Sequence, residues 1–246
     1  MYTVVPANKA AILPENVSFT EGVVVPFALE AAVCVLSVTE PGTALPGVPT
    51  PALHLPYPSL DPTPPLGKTL IVYGGSSSVG SMTTQLATAA GIRVLAIASP
   101  PNFALSRRCG AAEVFDRHDP LLVDKIVNAV AEGGSDQEFV GVFDAIGSAE
   151  TYANDLAILA RLAGGHLACT HPPPEDVPAN VKAGMIFAVN DAATPVWRDY
   201  VAPALAAGKL LCLPPPLVVG KGLECIDAAL KKCEEGVSAT KLVVEV

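Results

Sequence analysis

The segment from Leu70 to Gly80 constrains the fold of this chain more than any other. Four apolar residues, Leu70–Tyr73, lead into two glycines, and three serines, a valine and a glycine follow before a helical pattern that runs to Ala90. Glycine is needed where the backbone curls tightly or approaches a ligand without a Cβ in the way. The segment therefore predicts a buried strand, a tight turn and a helix, in that order.

The start of this predicted helix is suited to binding a phosphate, because the first N–H groups of a helix have no intrahelical partner and lie at the positive end of its dipole. A dinucleotide-binding fingerprint has glycines at positions that correspond here to 75, 77 and 80, and position 77 is a serine. An ordinary βα turn is the alternative. A P-loop is excluded because Ser81 stands where its lysine is required. The candidate pyrophosphate cradle consists of Gly75, Ser76, Ser77, Ser78, Val79 and Gly80.

From residue 70 onward, strand and helix patterns alternate along the chain. This repetition predicts an α/β fold, a doubly wound parallel sheet of the Rossmann type with helices on both faces. Ligands of such sheets bind where the loops after the strands meet. The loops that should meet there are Gly74–Gly80, Ser99–Asn102, Asp116–His118, Ala145–Ser148 and Thr170–Pro172.

Other segments carry weaker local patterns. Residues 24–38 are apolar nearly all round, which predicts a buried helix with Pro26 in its first turn. Residues 40–67 are rich in Pro, Gly and Thr and predict a surface connection. Short strand patterns occur at residues 2–6, 181–189, 210–213, 217–219 and 242–246.

Composition narrows the class of protein. The net charge is −9 and the basic residues form no cluster, which argues against a nucleic acid partner. The sequence has no run of 18 apolar residues, so it predicts no membrane span. The N-terminus does not have the pattern of a signal peptide. The six cysteines have no regular spacing, so we expect buried free thiols in a reduced, cytoplasmic compartment, with disulfides or metal ligands as the alternatives.

The end of the second predicted strand favours NADPH over NADH. Folds that prefer NAD place an acidic residue there to accept a hydrogen bond from the ribose 2′-hydroxyl. This chain has Ser99 at that position and Asn102 close by, and both side chains can donate to a 2′-phosphate. Arg107 and Arg108 follow in the next helical pattern and are candidates for added positive charge. The alternative is that Ser99 and Asn102 only shape a turn and cap that helix.

Taken with the ends of the chain, these residues resemble the medium-chain dehydrogenase/reductase superfamily. Its most similar branch comprises the zinc-independent quinone reductases and the trans-acting enoyl reductases of polyketide pathways. The resemblance covers essentially the whole chain in the family's motif order, through Tyr2–Ala7, Leu13–Phe19, Val72–Gly80, Ala98–Phe103, Gly110–Asp116, Gly164–His166 and Ala239–Val244.

The resemblance implies a role for each candidate segment. Gly75–Val79 would hold the pyrophosphate of NADPH, and Ser99 and Asn102 would meet its 2′-phosphate. The strand near Ala183–Val189 would pair with its twin in a homodimer. The loop beside the nicotinamide-side ribose would consist of Ala145, Ile146, Gly147 and Ser148.

The chain departs from the family at its N-terminal side. The resemblance places residues 1–20 at the tail of a GroES-like substrate domain that is mostly missing here. Residues 21–209 would form the dinucleotide-binding domain, and residues 210–246 would return to the substrate domain. The family's zinc ligands and most of the side chains that orient a substrate lie in the missing part, so we expect no metal site and can assign no catalytic residue.

Two hypotheses about function follow. In the first, the protein is an NADPH-dependent reductase that transfers a hydride to a conjugated carbonyl, such as an enone, a quinone or a polyketide enoyl group. In the second, the shortened chain has lost redox chemistry and keeps its nucleotide-binding scaffold as a binding module or a retooled tailoring enzyme. The intact cradle favours the first hypothesis, and the missing domain favours the second.

Overall fold

The computed structural model of the chain describes residues 4–38, 42–45, 48–50, 52–134 and 136–246. Its strands, in chain order, are β1 (Gly42–Leu45), β2 (Val48–Thr50), β3 (Lys68–Tyr73), β4 (Arg93–Ala98), β5 (Glu113–Asp116), β6 (Glu138–Asp144), β7 (Gly165–Cys169), β8 (Val181–Met185), β9 (Pro216–Lys221) and β10 (Lys241–Glu245).

The helices separate these strands as the alternating pattern predicts. They are α1 (Phe19–Gly22), α2 (Val25–Ser37), α3 (Ser78–Ala89), α4 (Phe103–Arg108), α5 (Leu122–Glu132), α6 (Ala149–Arg161), α7 (Thr194–Val196), α8 (Ala202–Ala206) and α9 (Ile226–Glu234). A π-helical turn, Trp197–Val201, joins α7 to α8.

Six strands form one parallel sheet in the order β5-β4-β3-β6-β7-β8. The sheet begins at β3 in its middle, grows to one side through β4 and β5, and then continues on the other side from β6. This is the strand order of a Rossmann fold, and the direction of winding reverses between β3 and β6. The predicted doubly wound α/β fold is confirmed.

Alternate residues of the strands face two separate cores, as the two-residue period of a strand requires. Leu70 and Val72 of β3 belong to one core, which α2 and α3 cover. Ile71 and Tyr73 belong to the other, which α5 and α6 cover. Burial on both faces explains why these strands read as continuous apolar runs.

The predicted buried helix at residues 24–38 is confirmed as α2. Ten of its thirteen residues are buried, and Pro26 lies in its first turn. The segment Phe19–Ser37 is long and apolar enough to cross a membrane by length and composition alone. More than half of it is buried within the protein, where α2 packs against α3. Core helices commonly share this composition, so the segment is explained by its place under the sheet.

Three local predictions differ from the structure. Residues 210–213 do not form a strand, because α3 side chains satisfy their backbone: Gln85 Nε2 donates to Leu211 O at 3.2 Å and Gln85 Oε1 accepts from Leu211 N at 2.8 Å. Residues 4–6 form no strand and precede a 3-10 turn at 7–9, while Tyr2 and Thr3 lie outside the described residues. The described part of 40–67 is not wholly on the surface, because Leu53 and Leu55 are buried in the core that α2 covers.

The last part of the chain forms a second, smaller sheet. β9 and β10 pair in parallel and are joined through α9. Thr20 Oγ1 donates to Glu245 Oε1 at 3.1 Å, which ties this sheet to α1 near the other end of the chain. The assignment of residues 1–20 and 210–246 to a substrate domain stays a prediction.

Candidate functional site

The turn after β3 lies at the centre of the candidate site. The N–H groups of Gly74 and Gly75 donate to Ile97 O at 2.9 and 3.0 Å, which holds the turn against the end of β4. Gly74 has a φ of +77°, a conformation that glycine adopts without steric cost. A Cβ on Gly75 would lie 2.8 Å from Ala96 Cβ. The backbone therefore runs closer to the sheet than any larger residue would allow.

Ser77 takes the place of the fingerprint's middle glycine and caps α3. Its Oγ accepts a hydrogen bond from Gly80 N at 3.1 Å. Gly80 in turn packs beneath the turn, where a Cβ would lie 2.2 Å from Gly74 O. Serine is thus compatible with the predicted cradle, because its hydroxyl satisfies one helix donor while the two flanking glycines keep the turn compact.

The same turn carries polar groups suited to an anion. Ser78 and Val79 are the first two residues of α3, and their N–H groups have no intrahelical acceptor by geometry. Ser78 Oγ is buried and has no hydrogen-bond partner within the described residues. An unpaired buried hydroxyl beside free helix N–H groups fits the pyrophosphate of a dinucleotide.

At the end of β4, a cationic side chain from the next strand's loop reaches Ser99, a contact that the sequence did not predict. Arg117 Nε donates to Ser99 Oγ at 2.9 Å. The two residues are adjacent because β4 and β5 pair in parallel with Ala98 opposite Asp116, so each residue follows its own strand by one position. Arg107, proposed from its nearness in sequence, instead stacks over the Phe103 ring at 5.7 Å. Arg117 lies in the loop Asp116–His118, which the strand pattern already places at this edge of the sheet, and its position directly after β5 is the signal that would have singled it out.

Asn102 precedes α4, but its side chain does not cap the helix. Its Nδ2 donates instead to Ser238 Oγ at 2.8 Å, across 136 positions of sequence. The loop from α9 to β10 therefore reaches over the end of β4. No local pattern predicts this contact.

These groups surround a cavity of about 270 Å³. Ser76, Ser77, Ser99, Asn102 and Ile146 of the predicted site line it. The other predicted residues do not line it: Gly75 lies in the turn after β3, Ser78 and Gly80 in the first turn of α3, and Gly147 in the turn after β6. The further lining residues are Tyr73, Gly74, Ile97, Ala98, Arg117, Val237, Ser238 and Ala239.

A second turn follows β6, next to the first. Asp144 Oδ1 accepts hydrogen bonds from Ile146 N at 2.7 Å and Gly147 N at 3.0 Å. Asp144 Oδ2 accepts one from Thr151 Oγ1 at 2.5 Å. Gly147 has a φ of +73°, and a Cβ there would lie 2.6 Å from His171 Nδ1. The Asp144 carboxyl group thus fixes the backbone of the predicted Ala145–Gly147 loop through hydrogen bonds.

A larger cleft of about 820 Å³ lies beside both turns. Val79 at the start of α3 and Ala145 in the turn after β6 line it, which places the cleft beside β3 and β6, where the direction of winding reverses. Most of its other lining is apolar, from α2, the π-helical turn and the segment after β8: Pro26, Phe27, Ala31, Ile186, Phe187, Ala188, Val189 and Trp197.

One side of this cleft is polar. Lys9 Nζ lies 3.3 Å from Glu30 Oε2 and donates to Asn190 O at 2.6 Å. Trp197 Nε1 donates to Glu30 Oε1 at 2.7 Å. Thr170 and His171 lie near the second turn and also line the cleft. The cleft therefore offers an apolar surface with a few fixed hydrogen-bonding groups, the usual character of a small-molecule site.

The described residues form neither a disulfide nor a cluster of metal ligands. Within the described residues all six cysteines are free, and burial raises the pKa of Cys109 and Cys169 to about 12. No group of three or more His, Cys, Asp or Glu side chains in that part of the chain is arranged to hold a metal ion.

Comparison with known proteins places these features in a family. A profile described as zinc-binding dehydrogenase matches residues 78–189. The dehydrogenase orsE of Emericella nidulans is 70% identical over 246 residues, which are 100% of this chain and 70% of that protein. The chain belongs to the medium-chain dehydrogenase/reductase superfamily. The predicted resemblance is confirmed.

Other members of the superfamily show the same relation. The trans-enoyl reductase himH of Aspergillus japonicus is 34% identical over 252 residues, which cover 100% of this chain and 68% of that protein. The structure of mycobacterial Rv1454c complexed with NADPH is similar to this one, with a TM-score of 0.64 and 22% sequence identity. The match covers 98% of this chain and 70% of the mycobacterial chain. This likeness shows the shared fold. Relatives named dehydrogenase and enoyl reductase place the chain among the oxidoreductases.

Proposed function

We propose that this member of the superfamily binds NADPH and reduces a conjugated carbonyl compound, such as an enone, a quinone or a polyketide enoyl group. The observation that carries the proposal is the Arg117–Ser99 pair at the end of β4, across the cavity from the glycine turn. A guanidinium and a hydroxyl at this point suit a 2′-phosphate, whereas an acidic residue would suit a 2′-hydroxyl.

The turns at the carboxyl ends of the strands supply binding and orientation. The α3 N-terminus and Ser78 Oγ would bind the pyrophosphate, and the loop held by Asp144 would contact the ribose beside the nicotinamide. NADPH, when bound, supplies the hydride. The contribution of the chain is to hold the nicotinamide end at the large cleft and to exclude water there.

The apolar cleft supports the substrate class. Its volume of about 820 Å³ and lining of Phe27, Phe187 and Trp197 suit an extended apolar molecule better than a small charged one. The trans-enoyl reductase name of himH supports an enoyl group as one member of this class. Lys9 and His171 line the cleft, and either side chain could donate a hydrogen bond to the carbonyl oxygen of a substrate.

Calorimetric titration of the purified chain with NADPH and, separately, with NADH tests the proposal. We expect NADPH to bind at least about tenfold more tightly, because each charged hydrogen bond to the 2′-phosphate contributes about 1.5–3 kcal/mol. NADPH oxidation with enones, quinones and enoyl thioesters would then identify the substrate. Binding of neither nucleotide would overturn the proposal and favour the non-redox binding module.

We also propose a homodimer that forms along the edge of β8. β8 is the last strand of the large sheet, and the β1–β2 hairpin lies next to it. Val189, which follows β8, is largely exposed. Among the described residues, no strand is hydrogen-bonded to the outer edge of β8, and such an edge can pair with the same edge of a second copy across a two-fold axis. Sedimentation velocity at micromolar concentration is expected to give a dimer, and a monomer would contradict it.

A further inference from the structure

A second carboxyl group lies beside Asp144, and the proposed function does not use it. Asp155 lies on α6 and is fully buried. Among the described residues, no N–H or O–H group donates a hydrogen bond to either of its carboxyl oxygens. It lies within hydrogen-bonding reach of the Asp144 carboxyl group. Such a pair is costly if both groups are ionised, because two like charges would then share a site that water does not reach.

Within the described residues, the titratable groups that interact with this pair supply no positive charge. Tyr73 on β3, Tyr152 on α6 and Cys169 on β7 interact electrostatically with both carboxyl groups. All three are neutral until they lose a proton, and none of them can carry a positive charge. Burial and the Asp144 charge raise the pKa of Asp155 well above its ordinary value. The same causes raise the pKa of Tyr73 and Tyr152, since burial dominates for both.

The hydrogen bonds indicate which carboxyl group accepts and which donates. Asp144 already accepts from two backbone N–H groups and from the Thr151 hydroxyl, so its oxygens act as acceptors in this site. Asp155 has no such donors. Asp155 avoids an unpaired buried charge if it keeps its proton and donates a hydrogen bond to Asp144.

We propose that Asp155 remains protonated at neutral pH and donates a hydrogen bond to Asp144, and that this shared proton positions the Ala145–Gly147 loop for the cofactor. Asp155 is then a positioning residue, because it acts on the loop only through Asp144. The loop's part in binding NADPH rests on the proposed function. The shared proton itself does not, because it follows from the burial of the two carboxyl groups.

Infrared spectroscopy tests the shared proton without any ligand. A protonated carboxyl group has a C=O stretching band that carboxylates lack. We expect the wild-type protein at pH 7 to show this band and Asp155→Asn to lose it. Asp124→Asn, which replaces a half-exposed aspartate paired with Arg161, should leave it unchanged. Absence of the band from the wild type, or its persistence in Asp155→Asn, would overturn the proposal.

Nucleotide titration then tests the positioning role. Asparagine can still donate to Asp144, so Asp155→Asn should bind NADPH about as well as the wild type at pH 7. Asp155→Ala cannot donate, and we expect about tenfold weaker binding. As the pH rises, the wild type should lose affinity when the shared proton leaves, whereas Asp155→Asn should not. Equal NADPH affinity of Asp155→Ala and wild type at every pH would exclude the positioning role.

The two tests separate the inference from the proposed function. If the wild type binds neither NADPH nor NADH but shows the infrared band, the reductase proposal fails and the shared proton stands. If NADPH binds tightly and the band is absent, the shared proton is excluded and the proposed NADPH site stands. Circular dichroism at each pH checks that a loss of affinity does not arise from unfolding of the whole chain.

Discussion

Replacing Gly80 with alanine is expected to abolish measurable NADPH binding and to lower the free energy of unfolding by about 3 kcal/mol. The new Cβ would lie 2.2 Å from Gly74 O and 2.9 Å from Gly74 C. Both are backbone atoms, so no side-chain rotation relieves the overlap. The turn would have to move away from the helix N-terminus, and the pyrophosphate would lose several of its N–H donors together.

Two measurements separate loss of binding from loss of folding. Urea unfolding gives the change in stability, and calorimetry at a temperature where the variant remains folded gives the affinity. Gly134→Ala is a suitable control, because the added Cβ has no atom of the described residues within 4 Å and the cost is the strain of a φ of +92°. We expect this control to bind NADPH normally. A folded Gly80→Ala variant that also bound NADPH normally would contradict the assigned cradle.

Replacing Arg117 with glutamine is expected to weaken NADPH binding about thirtyfold and to leave NADH binding unchanged. Loss of one charge-assisted hydrogen bond to the 2′-phosphate costs about 2 kcal/mol, which corresponds to that factor. NADH lacks this phosphate and should not distinguish the variant from the wild type. Titration of both proteins with both nucleotides measures the change in preference.

The matched control is Arg107→Gln, which removes the same charge from a guanidinium that stacks over the Phe103 ring. It should keep the wild-type preference for NADPH. Raised salt should reduce the NADPH affinity of the wild type more than that of Arg117→Gln, because the lost contact is between charges. A larger effect from Arg107 than from Arg117 would show that the residue nearer in sequence binds the phosphate.

Local patterns predicted the main elements well, because they depend on interactions over a few residues. The apolar run at 70–73 and the glycines after it predicted β3, its turn and α3 within two residues. The alternation of strands and helices predicted the doubly wound sheet. Residues 210–213 were mispredicted because an apolar extended segment reads as a strand, whereas Gln85 of α3 binds its backbone.

The sequence by itself determined the sheet, its two apolar faces and the glycine turn, because strand period, helix period and the steric needs of a turn are local properties. Only the tertiary structure decided which polar groups share the site. Arg117 meets Ser99 through the β4–β5 register, and Asn102 meets Ser238 because the chain returns from α9. Asp155 approaches Asp144 because α6 packs on β6. Each of these pairs joins residues from different elements, and their distance in space is set by packing that no local pattern records.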